Sequence, residues 1–145
     1  MGRVFMKPID CPFRVAEREI EKMKKYTRII IVDMHAEATS EKEAIGWFLD
    51  GRVSAVLGTH THVQTADESI LPGGTAYITD VGMTGPFNSI IGIRKDAVME
   101  RFLTQIPNKF DVAKDDVRLQ GVVVDVDGKS AKATGIDRLT VHLRD

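Results

Sequence analysis

Two short runs of branched aliphatic residues, RIIIVD at 28–33 and VSAVL at 53–57, constrain the fold more than any other feature. Continuous apolar character over so few residues predicts strands buried on both faces. Residues 40–50 between them read as a helix, with Ser40 and Glu43 spaced as a capping box and Gly51 as a stop. Both runs lead directly into histidine. His35 follows RIIIVDM, and His60 and His62 follow VSAVLGT.

The rest of the chain repeats the alternation. Residues 1–13 are irregular, punctuated by Pro8 and Pro12. A helix is predicted over 15–25, with Ala16, Ile20 and Met23 on one side, and its basic Lys22, Lys24 and Lys25 read as a solvated helix end. A strand is predicted over 75–79 and a helix over 94–103, with Ala97, Val98, Phe102 and Leu103 inward. Strands over 118–126 and 131–142 are joined by the hairpin signal Asp127-Gly128. Trp47, beside Ile45, Phe48 and Leu49, is expected in the core. The pattern implies an α/β domain with a layered mixed β-sheet and flanking helices.

Composition narrows the function classes. Twenty basic and 21 acidic residues in 145 leave a net charge of −1, which gives no electrostatic reason to expect a membrane or long nucleic-acid partner. Residues 1–13 lack the apolar segment of a signal peptide, and the longest aliphatic run is too short to span a bilayer. The single cysteine, Cys11, excludes an internal disulfide and a cysteine-based zinc cluster, and a cytoplasmic, reducing setting is expected.

Three of the four histidines stand just beyond strands, where ligand sites of α/β sheets lie. In an extended segment residues i and i+2 share a side, so His60 and His62 are placed to reach one metal or two adjacent metals while Thr61 points away. Gly58 lets the backbone pass close to a neighbour. Asp33 reads either as a residue orienting a ligand histidine or as a carboxylate capping backbone amides. Glu37 belongs to the approach to the helix at Ser40. Asp80 and Gly82 begin a glycine-rich turn, read either as a phosphate loop or as a plain tight turn. His142 reads as a solvated histidine.

Three blocks in order, DMHAEATSEK at 33–42, GTHTHVQTAD at 58–67 and GTAYITDVGMTGP at 74–86, resemble the YmdB-type calcineurin-like metallophosphoesterases, as does GRVFMKPIDCPF at the start. That resemblance implies hydrolysis of phosphodiester bonds in small nucleotides such as 2′,3′-cyclic nucleotides. It implies two divalent ions, iron or manganese, with His35 and His60 on one and His62 on the other. Family members also carry Gly-Asp, Gly-Glu-Asn and Gly-Asn-His motifs, which supply further ligands and the proton-donating histidine. No Gly-Asp, Gly-Glu or Asn-His dipeptide occurs here.

Residues 1–145 are therefore expected to form a single partial domain, the C-terminal half of a four-layer αββα phosphoesterase fold, with no catalytic proton donor of its own. This chain alone is expected to bind one ion or none and to have little activity without the N-terminal half or a complementary chain. A homo-oligomer is kept open. The competing readings are a mononuclear metal hydrolase using His35, His60 and His62, and a non-catalytic interaction module.

Overall fold

The computed structural model describes residues 1–143. It contains two sheets. In the first, β1 (Ile31–His35), β2 (Ala55–Thr59) and β4 (Ala76–Ile78) run parallel, and β3 (Ser69–Ile70) adds antiparallel to β4, in the order β1-β2-β4-β3. In the second, β5 (Thr84–Pro86), β6 (Val117–Val126) and β7 (Ala133–His142) are antiparallel neighbours. The helices are α1 (Pro12–Met23), α2 (Thr39–Leu49) and α3 (Lys95–Thr104).

The first sheet is packed on both faces. On one, α1 and α2 bring Ile20, Ile45 and Leu49 against Ile30, Met34, Val56 and Tyr77. On the other, Ala55 and Ala76 meet Ala133, with Leu57, Val124 and Ile136 around them. Small residues at that contact let the sheets approach closely. The result within this chain is three layers, helices on sheet on sheet, and the α/β expectation holds.

Several local expectations do not. The run at 28–33 is buried on one face only: Ile30 and Met34 enter the core beneath the helices, while Ile29 and Ile31 are exposed on the other side, where the contact between the sheets involves β2 and β4 and not β1. The run at 53–57 lies in the central strand and is buried as expected. Helix α2 has Ala38 at its N-cap and no side-chain cap, so the Ser40–Glu43 capping box does not form. Its buried stripe is Lys42, Ile45, Gly46 and Leu49. Trp47 lies off that stripe and is 60% exposed. In α3 only Val98 is buried; Phe102 and Leu103 face out. The β6–β7 connection is a longer loop rather than a two-residue turn, closed by Asp127 N–H donating to the Lys132 carbonyl. Asp127 also accepts from the backbone of Lys129 and Ser130.

The parallel order β1-β2-β4 aligns three strand ends. His35 pairs in register with Thr59, and Thr79 follows β4. A side chain at Gly58 would collide with the backbone carbonyl of Thr79, 1.7 Å from an ideal Cβ. Glycine at 58 is thus what brings β2 and the end of β4 close enough to share one site.

Candidate functional site

At the end of β1, His35 is held by a chain of hydrogen bonds. The Thr59 hydroxyl donates to Asp33 Oδ1 at 2.8 Å. With its proton so committed, Thr59 Oγ1 accepts from His35 Nδ1–H at 3.0 Å. That fixes the tautomer and leaves His35 Nε2 as a bare lone pair. Asp33 thus orients His35 through Thr59.

His35 Nε2 faces His60 Nδ1 at 3.0 Å. On the far side of the ring, His60 Nε2 lies 2.7 Å from Glu37 Oε2 and donates its proton to that carboxylate. A neutral His60 then presents a second lone pair to the first. Two lone pairs at this distance repel unless a cation lies between them, either a proton carried by His60 or a metal ion. The donor set fits a metal. Two nitrogens each about 2.1 Å from one ion, at a right angle, lie about 3.0 Å apart. The outer nitrogen of His60 is tied to the Glu37 carboxylate, and that of His35 reaches Asp33 through the Thr59 hydroxyl, the kind of outer support that ligating histidines have.

His62 does not join this pair. The expectation that His60 and His62 share a side assumed extended backbone, but both have positive φ, 119° and 66°. The chain turns between them, and His62 Nδ1 donates to the Ile91 carbonyl at 3.0 Å. Its Nε2 is therefore its unprotonated nitrogen. A cavity of about 270 Å³ opens beside it, lined in part by Met83, Phe87 and Gln120. Among the described residues, no three His, Cys, Asp or Glu side chains are arranged to hold a metal ion. Within those residues no three-ligand mononuclear site is preformed.

Positive φ at non-glycine residues costs on the order of 1–3 kcal/mol each and persists only where the surroundings enforce it. Here Asp80 enforces it. Asp80 Oδ2 accepts from the backbone N–H of Thr61 at 2.9 Å and from its hydroxyl at 2.7 Å. Lys42 Nζ, from α2, lies 3.3 Å from the same oxygen, and both side chains are fully buried. Asp80 Oδ1 accepts from Gly82 N–H at 3.0 Å. The Thr61 side chain is thus turned onto Asp80. At the turn of Asp80 and Gly82 the Gly82 N–H donates to Asp80 Oδ1, and Asp80 Oδ2 holds the histidine loop through Thr61. Glu37 is also reassigned: it serves His60, not the start of α2. Thr59, Glu37 and Lys42 are the site residues that sequence reasoning missed. His142 lies apart, exposed near Asp116.

A second network supports the end of β4. Asp67 accepts from the backbone and hydroxyl of Thr79, and Thr79 Oγ1 accepts from Tyr77 O–H. Partial burial works against the Asp67 charge, but hydrogen bonds from Thr65 and Thr79 outweigh it and hold its carboxyl below the ordinary range. Burial pushes the Tyr77 phenol up to about 12. A raised phenol favours the folded state fully below pH ~10, its unfolded value. That contribution is lost as pH rises toward 12. Urea denaturation of the wild type should show stability falling across this window, and Tyr77→Phe should flatten that part of the profile. A parallel fall in both proteins would assign the loss to other groups.

Comparison with known proteins bears on this arrangement. Residues 1–139 match the family described as YmdB-like protein. The chain is 53% identical over 141 residues, 97% of its length, to the 2′,3′-cyclic-nucleotide 2′-phosphodiesterase of Bacillus subtilis (strain 168), covering 53% of that protein. It superposes with TM-score 0.91 and 45% identity on a hypothetical protein from Thermus thermophilus, covering 98% of this chain and 55% of that one. A phosphatase from Mycoplasma pneumoniae gives TM-score 0.83 at 41% identity, over 90% of this chain and 46% of that one. The chain thus spans about half the length of the relatives it matches. With a match over nearly its whole length, the chain belongs to the YmdB-like family.

Proposed function

We propose that this chain contributes the histidine side of a metal-dependent phosphodiesterase acting on small nucleotides such as 2′,3′-cyclic nucleotides. The carrying observation is the His35–His60 pair, two facing ring nitrogens 3.0 Å apart, with the outer nitrogen of His60 on Glu37 and that of His35 on the Thr59 hydroxyl. The name of the Bacillus subtilis relative supports the reaction and the substrate class.

In this reading His35 Nε2 and His60 Nδ1 hold one ion, iron or manganese, and His62 Nε2 serves a second. When bound, such ions would supply Lewis acidity to a phosphodiester. The chain's own residues do the positioning. Asp33, through Thr59, keeps the His35 lone pair aimed at the site. Glu37 holds the His60 N–H and so orients its other nitrogen toward His35. Asp80 and Lys42 fix the turn that sets His60 and His62 apart. A bridging carboxylate and a proton donor come from outside these residues, as the resemblance implies. A cytoplasmic location is consistent with the lone cysteine.

The test is a chimera in which this chain replaces its matching segment of the Bacillus subtilis relative. Supplied with manganese or iron, the chimera is expected to hydrolyse a 2′,3′-cyclic nucleotide, and this chain alone is not. His35→Ala in the chimera should abolish turnover. Full activity in that variant, or robust turnover by the isolated chain, would contradict the reading.

A further inference from the structure

We propose that Phe5, with Met1 and Met6, forms the wall on which the base of a nucleotide stacks beside His60. This deepens the proposed function and rests on it for the substrate class. The residues line a cavity of about 650 Å³ together with Lys7, Ile9 and His60. It is continuous with the candidate site through His60, and its walls are mainly apolar, with one cationic side chain.

The protein commits buried polar contacts and a strained backbone to holding Phe5 in place. Phe5 is 89% exposed, so no core packing fixes it. Its φ is 59°, a conformation that bulky side chains rarely adopt. The segment before it is nonetheless anchored. Gly2 N–H donates to the His35 carbonyl at 2.8 Å, tying the segment to the end of β1. The Glu41 carboxylate accepts from the N–H groups of Arg3, at 3.0 and 2.9 Å, and of Val4, at 3.2 Å. Glu41 is only 7% exposed. A carboxylate drawn out of water needs compensation, and here it comes almost wholly from this one segment. Gly2 permits the approach, since a Cβ there would lie 2.3 Å from Glu41 Oε2. Met6 N–H closes a turn onto the Arg3 carbonyl.

The protein therefore commits a buried charge and a strained residue to presenting an aromatic ring to solvent beside His60. A planar, apolar partner with an anionic attachment suits that wall. The ring and the methionine thioethers offer a face for a base. Lys7 adds a positive charge to the same cavity, which suits an anionic attachment. Stacking of this kind tolerates any base, because every base has a π-face.

The test uses the whole chain with 13C-methyl-labelled methionine, titrated with adenosine and, separately, with ribose 5-phosphate. The Met1 and Met6 methyl signals should shift saturably with adenosine, while Met23 and Met99, remote from the cavity, stay still. Ribose 5-phosphate should not reproduce the shift. Phe5→Ala should weaken adenosine binding at least about fivefold, and Phe5→Trp should preserve it. Because Phe5 is exposed, the alanine variant should fold, and its other methyl signals check this. An unchanged response in Phe5→Ala, an equal response to ribose 5-phosphate, or no response to adenosine would overturn the proposal. The last result would fit a wall that covers another protein segment. His35→Ala should lose metal binding and leave the adenosine response intact; unimpaired metal binding in that variant, with the response preserved, would count against the functional reading alone.

Discussion

Asp80→Ala is expected to lose about 3–5 kcal/mol of folding stability, because it strands the buried ammonium of Lys42 without its partner. It also leaves the Thr61 and Gly82 N–H groups without their acceptor. Small domains are stable by only about 5–15 kcal/mol, so the variant should be close to unfolding at ordinary temperature. Urea denaturation measures it. Lys42→Met should cost less, since the Asp80 carboxylate keeps its bonds to Thr61 and Gly82. Combining Lys42→Met with Asp80→Ala should be less damaging than the sum, as for residues in direct contact. A loss below about 1 kcal/mol in Asp80→Ala, the scale of an exposed pair, would show that the charge of Lys42 escapes to water.

This pair also marks where the sequence stopped being legible. Lys42 and Asp80 are 38 positions apart, and a lysine at a core position of a helix is read from sequence as solvated. The stripe that buries α2 runs through Lys42 and Gly46, neither of which signals a core. The eye goes instead to Trp47, which falls between the buried positions. Phe102 and Leu103 mislead in the same way. Alternation of strand and helix was legible because it rests on runs of many residues. Strands β3 and β5, of two and three residues, carry no measurable period and appear only through pairing with β4 and β6.

At the site, position was legible and conformation was not. The topology of an α/β sheet puts residues after parallel strands at one edge, and His35 and His60 meet there. His60 and His62 were separated by backbone that histidine rarely adopts, and nothing in His-Thr-His signals a positive φ. What imposes it is Asp80, from another strand end. Glu37 could not be paired with His60 from sequence, since an exposed carboxylate just before a helix has an adequate local explanation.

In the proposed function His35 and His60 together form one corner of a metal site. Its outer support should matter as well as the ligands. Glu37→Gln and Asp33→Asn keep shape while removing charge, and losses of about 10–100-fold in metal affinity are typical for such partners. His35→Ala and His60→Ala should remove the site altogether, and His142→Ala should do nothing. The most direct measurement is a manganese titration of the isotopically labelled chain, following the imidazole signals of its four histidines. The account predicts that substoichiometric manganese broadens His35 and His60 first, spares His142, and loses that selectivity in His35→Ala. Broadening that begins at His142 or at exposed carboxylates, and is unchanged in His35→Ala, would contradict it.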